Sequence, residues 1–165
     1  MKRIFLLLVV LCLGAVSLKA QNAKITGTNI KDMDSKVVNT STFSNDGKPF
    51  VICFWATWCH PCLQELSAIA ELYEDWQKET GIKIYAISLD DTRTKGKVKP
   101  LVTAQEWAYE VFIDENSDFK RAMGVNNPPH TFIVGANGEI LWQHAGYAEG
   151  DEENLIKKYI ELSKQ

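Results

Sequence analysis

Two cysteines stand three positions apart in FWATWCHPC, Phe54 to Cys62, with His60 and Pro61 between them. Thiols at that spacing suit a metal clip, a structural staple or a redox couple that opens and closes. Redox work needs one ionised sulfur, because the thiolate is the attacking form and free cysteine is mostly protonated at neutral pH. A strand-to-helix junction supplies that condition. Unpaired backbone N–H groups and the positive end of the helix dipole both stabilise a thiolate at a helix's amino end. On this reading Cys59 is the exposed attacker and Cys62, one turn inside, is the resolving thiol. Pro61 fits the first helical turn, where its missing N–H costs nothing. His60, when protonated, would favour the Cys59 thiolate further. A structural zinc site needs four ligands, and the second thiol pair of a zinc ribbon is missing. No metal and no organic cofactor is expected, since the two thiols carry the electrons.

The surrounding pattern provides the junction. After Pro49 the run VICFWA is apolar, β-branched and aromatic, as in a strand covered on both faces. From Pro61 to Thr80 the spacing turns helical: Leu63, Leu66, Ile69, Ala70, Leu72 and Tyr73 recur at threes and fours until Gly81. IKIYAISL is a second buried strand ending at Asp90–Asp91, and the basic stretch Thr92–Pro100 reads as an exposed loop. A helix near Leu101–Trp107, a strand at Tyr109–Ile113 and a short helix near Asp118–Met123 follow. HTFIV and EILWQH, joined through Asn137–Gly138, form the clearest hairpin. Asp151–Lys164 closes the chain as an amphipathic helix. Upstream, Ala23–Ile30 and Lys36–Val38 around the turn DMDS read as a small β-hairpin. Alternating units imply parallel pairing, and the late hairpin makes the sheet mixed. The expected fold is therefore α/β, a central mixed sheet flanked by helices, with an extra N-terminal β-hairpin. A cysteine pair at a strand-to-helix turn in this context reads as a thioredoxin-like redox motif.

Residues 1–20, MKRIFLLLVVLCLGAVSLKA, read as a secretory signal peptide: Lys2 and Arg3, an apolar run from Ile4 to Leu18, and Ala20 at the cut. Residues 21–165 then form one domain with a single core. Cleavage removes Lys2, Arg3 and Lys19, leaving 15 basic against 21 acidic residues, a formal charge of −6. That surface argues against nucleic acid and offers no basic footprint for anionic lipid. An uncleaved segment would instead be an N-terminal membrane anchor; either way the expected location is periplasmic or otherwise exported. Three cysteines remain after cleavage, Cys53, Cys59 and Cys62, an odd count that cannot close a structural disulfide framework.

FWATWCHPC, preceded by DGKPFVI and followed by GVNNPPHTFIVGANGEI, resembles the TlpA/ResA-like thiol–disulfide oxidoreductases of the thioredoxin superfamily. The resemblance covers nearly all of residues 23–165. It implies that Pro129 is the cis-proline facing the dithiol and presenting a backbone edge to the incoming partner. Trp58 matches a flat wall beside the site. Glu65, three residues past Cys62, matches a glutamate near the active site of many members; that spacing puts both on one side of a helix. A partly buried carboxylate there would carry protons to and from the resolving thiol, and an exposed one would be a solvated helix residue. Three positions depart from the pattern. Cys53 stands where thioredoxins proper keep a buried aspartate and reads as an inert small hydrophobe. Ser67 replaces a helix-kinking proline. Pro128, lacking an N–H, removes one main-chain hydrogen bond from a partner strand added beside it. His130 is expected on the same rim, with docking and plain exposure both open.

These readings converge on an exported thiol–disulfide oxidoreductase, more a reductant than an oxidant, with apocytochrome c or other exported thiols as examples of substrate. Its partners would be protein thiols and disulfides and an unidentified electron-transfer partner, and a monomer is expected. A thiol oxidase or isomerase on the same scaffold is the alternative, and a non-catalytic metal- or partner-binding module a weaker one. A peroxidase on this scaffold would use a lone cysteine in a threonine-containing loop, which the sequence lacks.

Overall fold

The computed structural model describes residues 23–164, so the expected signal segment lies outside the described residues. Six consecutive buried residues form the central strand β3 (Phe50–Trp55), and five more form its parallel neighbour β4 (Ile84–Ser88). Continuous apolar strands of this kind need helices over both faces. The helix α1 (His60–Thr80) makes the crossover between them and ends on Gly81, whose left-handed φ of 72° suits a residue without a Cβ. A second crossover through α2 (Val98–Ala104) leads to β5 (Glu110–Ile113), parallel to β4. The chain then passes α3 (Asp118–Ala122) and returns as the antiparallel pair β6 (His130–Val134) and β7 (Ile140–Ala145) before the closing helix α4 (Asp151–Leu162).

The N-terminal hairpin of β1 (Asn29–Asp32) and β2 (Val37–Asn39) adds antiparallel to β5, giving the seven-stranded order β2-β1-β5-β4-β3-β6-β7. Phe50, Phe54, Trp55, Leu66, Ile69, Phe119, Phe132 and Tyr159 are fully buried and fill both faces around β3. The base of the sheet is tied by Asn45, whose side-chain amide donates to the Pro49 and Gly81 carbonyls at 2.9 Å each. The Tyr159 hydroxyl donates to the same Pro49 carbonyl at 3.0 Å, joining α4 to the start of β3.

Three local expectations are corrected. The piece Ala23–Ile30 is not one hairpin arm. Its first residues pair beside the β6–β7 turn, where Ile25 N–H donates to the Gly138 carbonyl at 2.9 Å, and only Asn29 onward enters β1. Thr92–Pro100 is not an open loop either. It holds a 3₁₀ turn at Lys95–Lys97 and the first turn of α2, anchored by fully buried Val98. Its cations meet acids: Arg93 pairs with Asp91 at 2.8 Å, Lys95 with Glu115 at 2.5 Å and Lys99 with Asp34 at 2.7 Å. Finally, α2 stops at Ala104, so Trp107 lies beyond the helix and packs its ring edge-on against Trp55.

Candidate active site

β3 delivers the chain from the core into the turn Ala56–Cys59, and α1 starts immediately after it. Cys59 occupies the N-cap position with extended backbone (φ −97°, ψ 95°), and its carbonyl accepts from Leu63 N–H at 3.2 Å. A capping side chain accepts from the second or third helical N–H. The second helical residue is Pro61, so Cys62 N–H is the donor that cap geometry offers a Cys59 thiolate. Cys59 and Cys62 are joined by a disulfide with an S–S distance of 2.02 Å. Cys59 is buried, at 6%, rather than exposed as expected, and Cys62 is at 0%, so the little surface that the pair offers a partner sulfur belongs to Cys59. Beside them Trp58 is 61% exposed, an unusual degree for an indole, and His60 and Pro61 are also on the surface.

The turn itself is held from β4. Asp90, fully buried just past the strand, accepts from Thr57 N–H at 2.8 Å, from Thr57 Oγ1 at 2.6 Å and from Ser88 Oγ at 2.8 Å. Asp90→Asn replaces one acceptor oxygen by an NH₂ that must face donors. Unfolding of the disulfide form in urea is expected to show a loss of about 1–2 kcal/mol, with disulfide exchange slowed as the Cys59 turn loosens. An unchanged unfolding midpoint would count against this tether.

Because β6 runs antiparallel to β3, with His130 opposite Phe54, its first residues lie at the end of the sheet where β3 leaves for Cys59. The Pro128–Pro129 peptide there is cis. Pro129 is buried and its carbonyl accepts from Gly146 N–H at 2.9 Å, while Pro128 is half-buried. His130 is half-buried on the same strand. Its ring stacks on Phe132 with centroids 4.4 Å apart, and Nε2 lies 3.1 Å from Gln143 Oε1. Burial lowers its pKa from the ordinary value, against the opposing hydrogen bond to Gln143, so the ring is neutral at pH 7.

Behind the dithiol, Glu65 is only 5% exposed, and Thr131 Oγ1 donates to its Oε1 at 2.7 Å. Burial pushes this carboxyl up to about 7; the Thr131 hydrogen bond opposes that, and the Asp151 and Glu152 charges of α4 add to it. Glu65 and Cys62 are thus buried one helical turn apart on α1. Cys53 lies opposite Thr131 across the β3–β6 ladder. Its thiol is pushed well above the ordinary value by burial first and by Glu65 second, so it stays protonated and unreactive. Among the described residues no group of three or more His, Cys, Asp or Glu is placed to hold a metal ion.

Cys59, Cys62 and Glu65 therefore gather at the start of α1, and Pro128, Pro129 and His130 stand at the adjoining end of the sheet. Two contributors were not anticipated from sequence. Thr131 had one signal, a lone hydroxyl inside the apolar run HTFIV; Asp90 ends a strand and gave no sign of reaching across to Thr57.

A mixed sheet with a dithiol at the β3–α1 junction and a cis-proline leading into β6 defines the class: a thioredoxin-fold thiol–disulfide oxidoreductase. More particularly, the chain belongs to the AhpC/TSA family, whose model matches residues 16–143, and within the thioredoxin superfamily it is TlpA/ResA-like. It is 29% identical over 130 residues to the thiol-disulfide oxidoreductase ResA of Bacillus thuringiensis subsp. konkukian, covering 78% of this chain and 72% of that one. It is 33% identical over 110 residues to the ResA of Oceanobacillus iheyensis, covering 67% of this chain and 55% of the relative. Among solved structures, a thioredoxin-like protein from Porphyromonas gingivalis superposes with a TM-score of 0.75 at 49% identity, covering 87% of this chain and 94% of that one.

Proposed function

We propose that the protein is an exported reductant of protein disulfides, acting as a monomer, with Cys59 as nucleophile and Cys62 as resolving thiol. The observation that carries this reading is the disulfide at the amino end of α1, with Cys59 at the N-cap and 6% exposed and Cys62 fully buried one turn inside. The Cys59 thiolate attacks one sulfur of a partner disulfide, forms a mixed disulfide and releases the other partner sulfur as a thiolate. Cys62 then gives its proton to the Glu65 carboxylate and attacks the Cys59 sulfur. The partner leaves with both thiols reduced, and the enzyme keeps the Cys59–Cys62 disulfide. A dithiol electron donor must return two electrons before the next cycle. Export rests on the signal-like residues 1–20, and reduction of exported thiols such as those of apocytochrome c follows from the TlpA/ResA-like resemblance. Trp58, Pro128, Pro129 and His130 form the rim on which the partner chain docks, with His60 and Pro61 tuning the couple.

The reductive direction is tested by equilibrating the dithiol with glutathione. Reducing members of this scaffold lie near about −270 mV and strong oxidants near about −120 mV. The expected value is close to the first. A potential near the second would overturn the reductant and support an oxidase or isomerase, the reading favoured by the exposed His60 beside Cys59, because a stabilised thiolate makes a couple more oxidising.

A further inference from the structure

Thr131 is a polar residue buried between two titratable groups. Across the ladder it faces Cys53, and from α1 the Glu65 carboxylate receives its hydroxyl proton at 2.7 Å. A hydroxyl carries one hydrogen and two lone pairs. We propose that Thr131 is a positioning residue for the resolving half-reaction: its hydroxyl fixes the Glu65 carboxyl beside the Cys62 turn of α1. The proposal rests on the reading of Glu65 as the proton acceptor for Cys62.

The hydroxyl can serve Glu65 in both protonation states, donating to the carboxylate and accepting from the acid. The groups that bear on Glu65 come from every side. Cys62 lies on its own helix and Cys53 on β3, with Tyr109 before β5 and Tyr147 in the β7–α4 connection. Asp151 and Glu152 lie at the start of α4, where Asp151 also meets His144 at 3.2 Å. The nearby carboxylates and burial favour the neutral acid, and Thr131 is the hydrogen-bond donor that opposes them.

The test compares Thr131→Val, Thr131→Ser and Glu65→Gln in the full chain. Two readouts are used: the Glu65 carboxyl titration by ¹³C NMR in the disulfide form, and the pH profile of resolution of the Cys59–glutathione mixed disulfide. Valine keeps the branched shape that a strand favours and loses the donor. The Glu65 midpoint is expected to rise by about one pH unit, with resolution at pH 7 slowed about fivefold. Serine should restore both. Thr131→Ala serves in place of valine if that variant does not fold. A Glu65 midpoint in Thr131→Val, or in Thr131→Ala where it stands in, equal to that of the unmodified protein overturns the proposal. If Glu65→Gln leaves the resolution profile intact, the proton-acceptor reading falls instead, and the carboxyl titration still decides whether Thr131 holds Glu65.

Discussion

A Cys62→Ser protein is expected to accumulate as covalent mixed disulfides with its protein substrates, and its multiple-turnover disulfide reduction should fall by at least about a thousandfold. The loss is large because resolution is intramolecular. A correctly oriented neighbouring group acts with an effective concentration of about 10⁵ M or more, which millimolar external thiol cannot replace. Cys59 keeps a small exposed area, at 6%, and Cys62 has none, so the serine variant keeps its first step and loses only its second. Cys59→Ser should do the opposite, abolishing exchange without trapping anything. Non-reducing gels and mass spectrometry of adducts read both variants, and the trapped proteins identify the substrates. If Cys62→Ser turned over at the normal rate, or if adducts formed on Cys62 in Cys59→Ser, the assignment of roles would be wrong.

The parts of this site written locally in the chain are legible in the sequence alone. The spacing of Cys59 and Cys62, the proline in the first helical turn, the apolar run before them and Gly81 after the helix each act within a few residues. Local physics places them at a strand-to-helix junction. The hairpin through Asn137–Gly138 is legible for the same reason, since turn residues between two apolar runs act locally. The turn is nonetheless longer than two residues, and the register shifts between Ile133 and Val134. What could not be read was contact across the fold. Thr131 and Glu65 are 66 positions apart, and Thr57 and Asp90 are 33 apart. No periodicity reports that a hydroxyl on one strand will face a carboxyl on a helix. Thr92–Pro100 misled because its lysines and breakers resemble a loop, whereas burial of Val98 makes its last three residues the start of α2 after a 3₁₀ turn. Pro128 and Pro129 were identified only through the longer family pattern, because the sequence around them names no partner for a bare proline pair.

Glu65 makes a second large effect measurable without any substrate. Its native pKa of about 7 lies above the ordinary value of 4.5, so between these values the folded state binds more protons than the unfolded chain. Stability from this group is therefore complete below about pH 4.5 and is lost as pH rises through about 7, amounting to roughly 3 kcal/mol at pH 8. Burial is the main cause, with Asp151 and Glu152 adding to it, and the Thr131 hydrogen bond only partly offsets them. Glu65→Gln removes the charge and keeps an oxygen for Thr131. It also buries an NH₂ group without an assigned partner, at a cost of about 1 kcal/mol or more. The two curves should cross. In urea unfolding of the disulfide form, the variant is expected to be less stable below pH 5, about equal near pH 5 and more stable at pH 8 by about 2 kcal/mol. Exchange should slow at pH 8, where Glu65 is ionised and can take the Cys62 proton, and change little at pH 5, where the carboxyl is already neutral. A parallel offset between the two proteins from pH 5 to pH 8 would mean that Glu65 titrates like a surface carboxylate. A crossing accompanied by slower exchange would mean that the chain keeps a destabilising buried carboxyl at the one place where its proton affinity serves the resolving thiol.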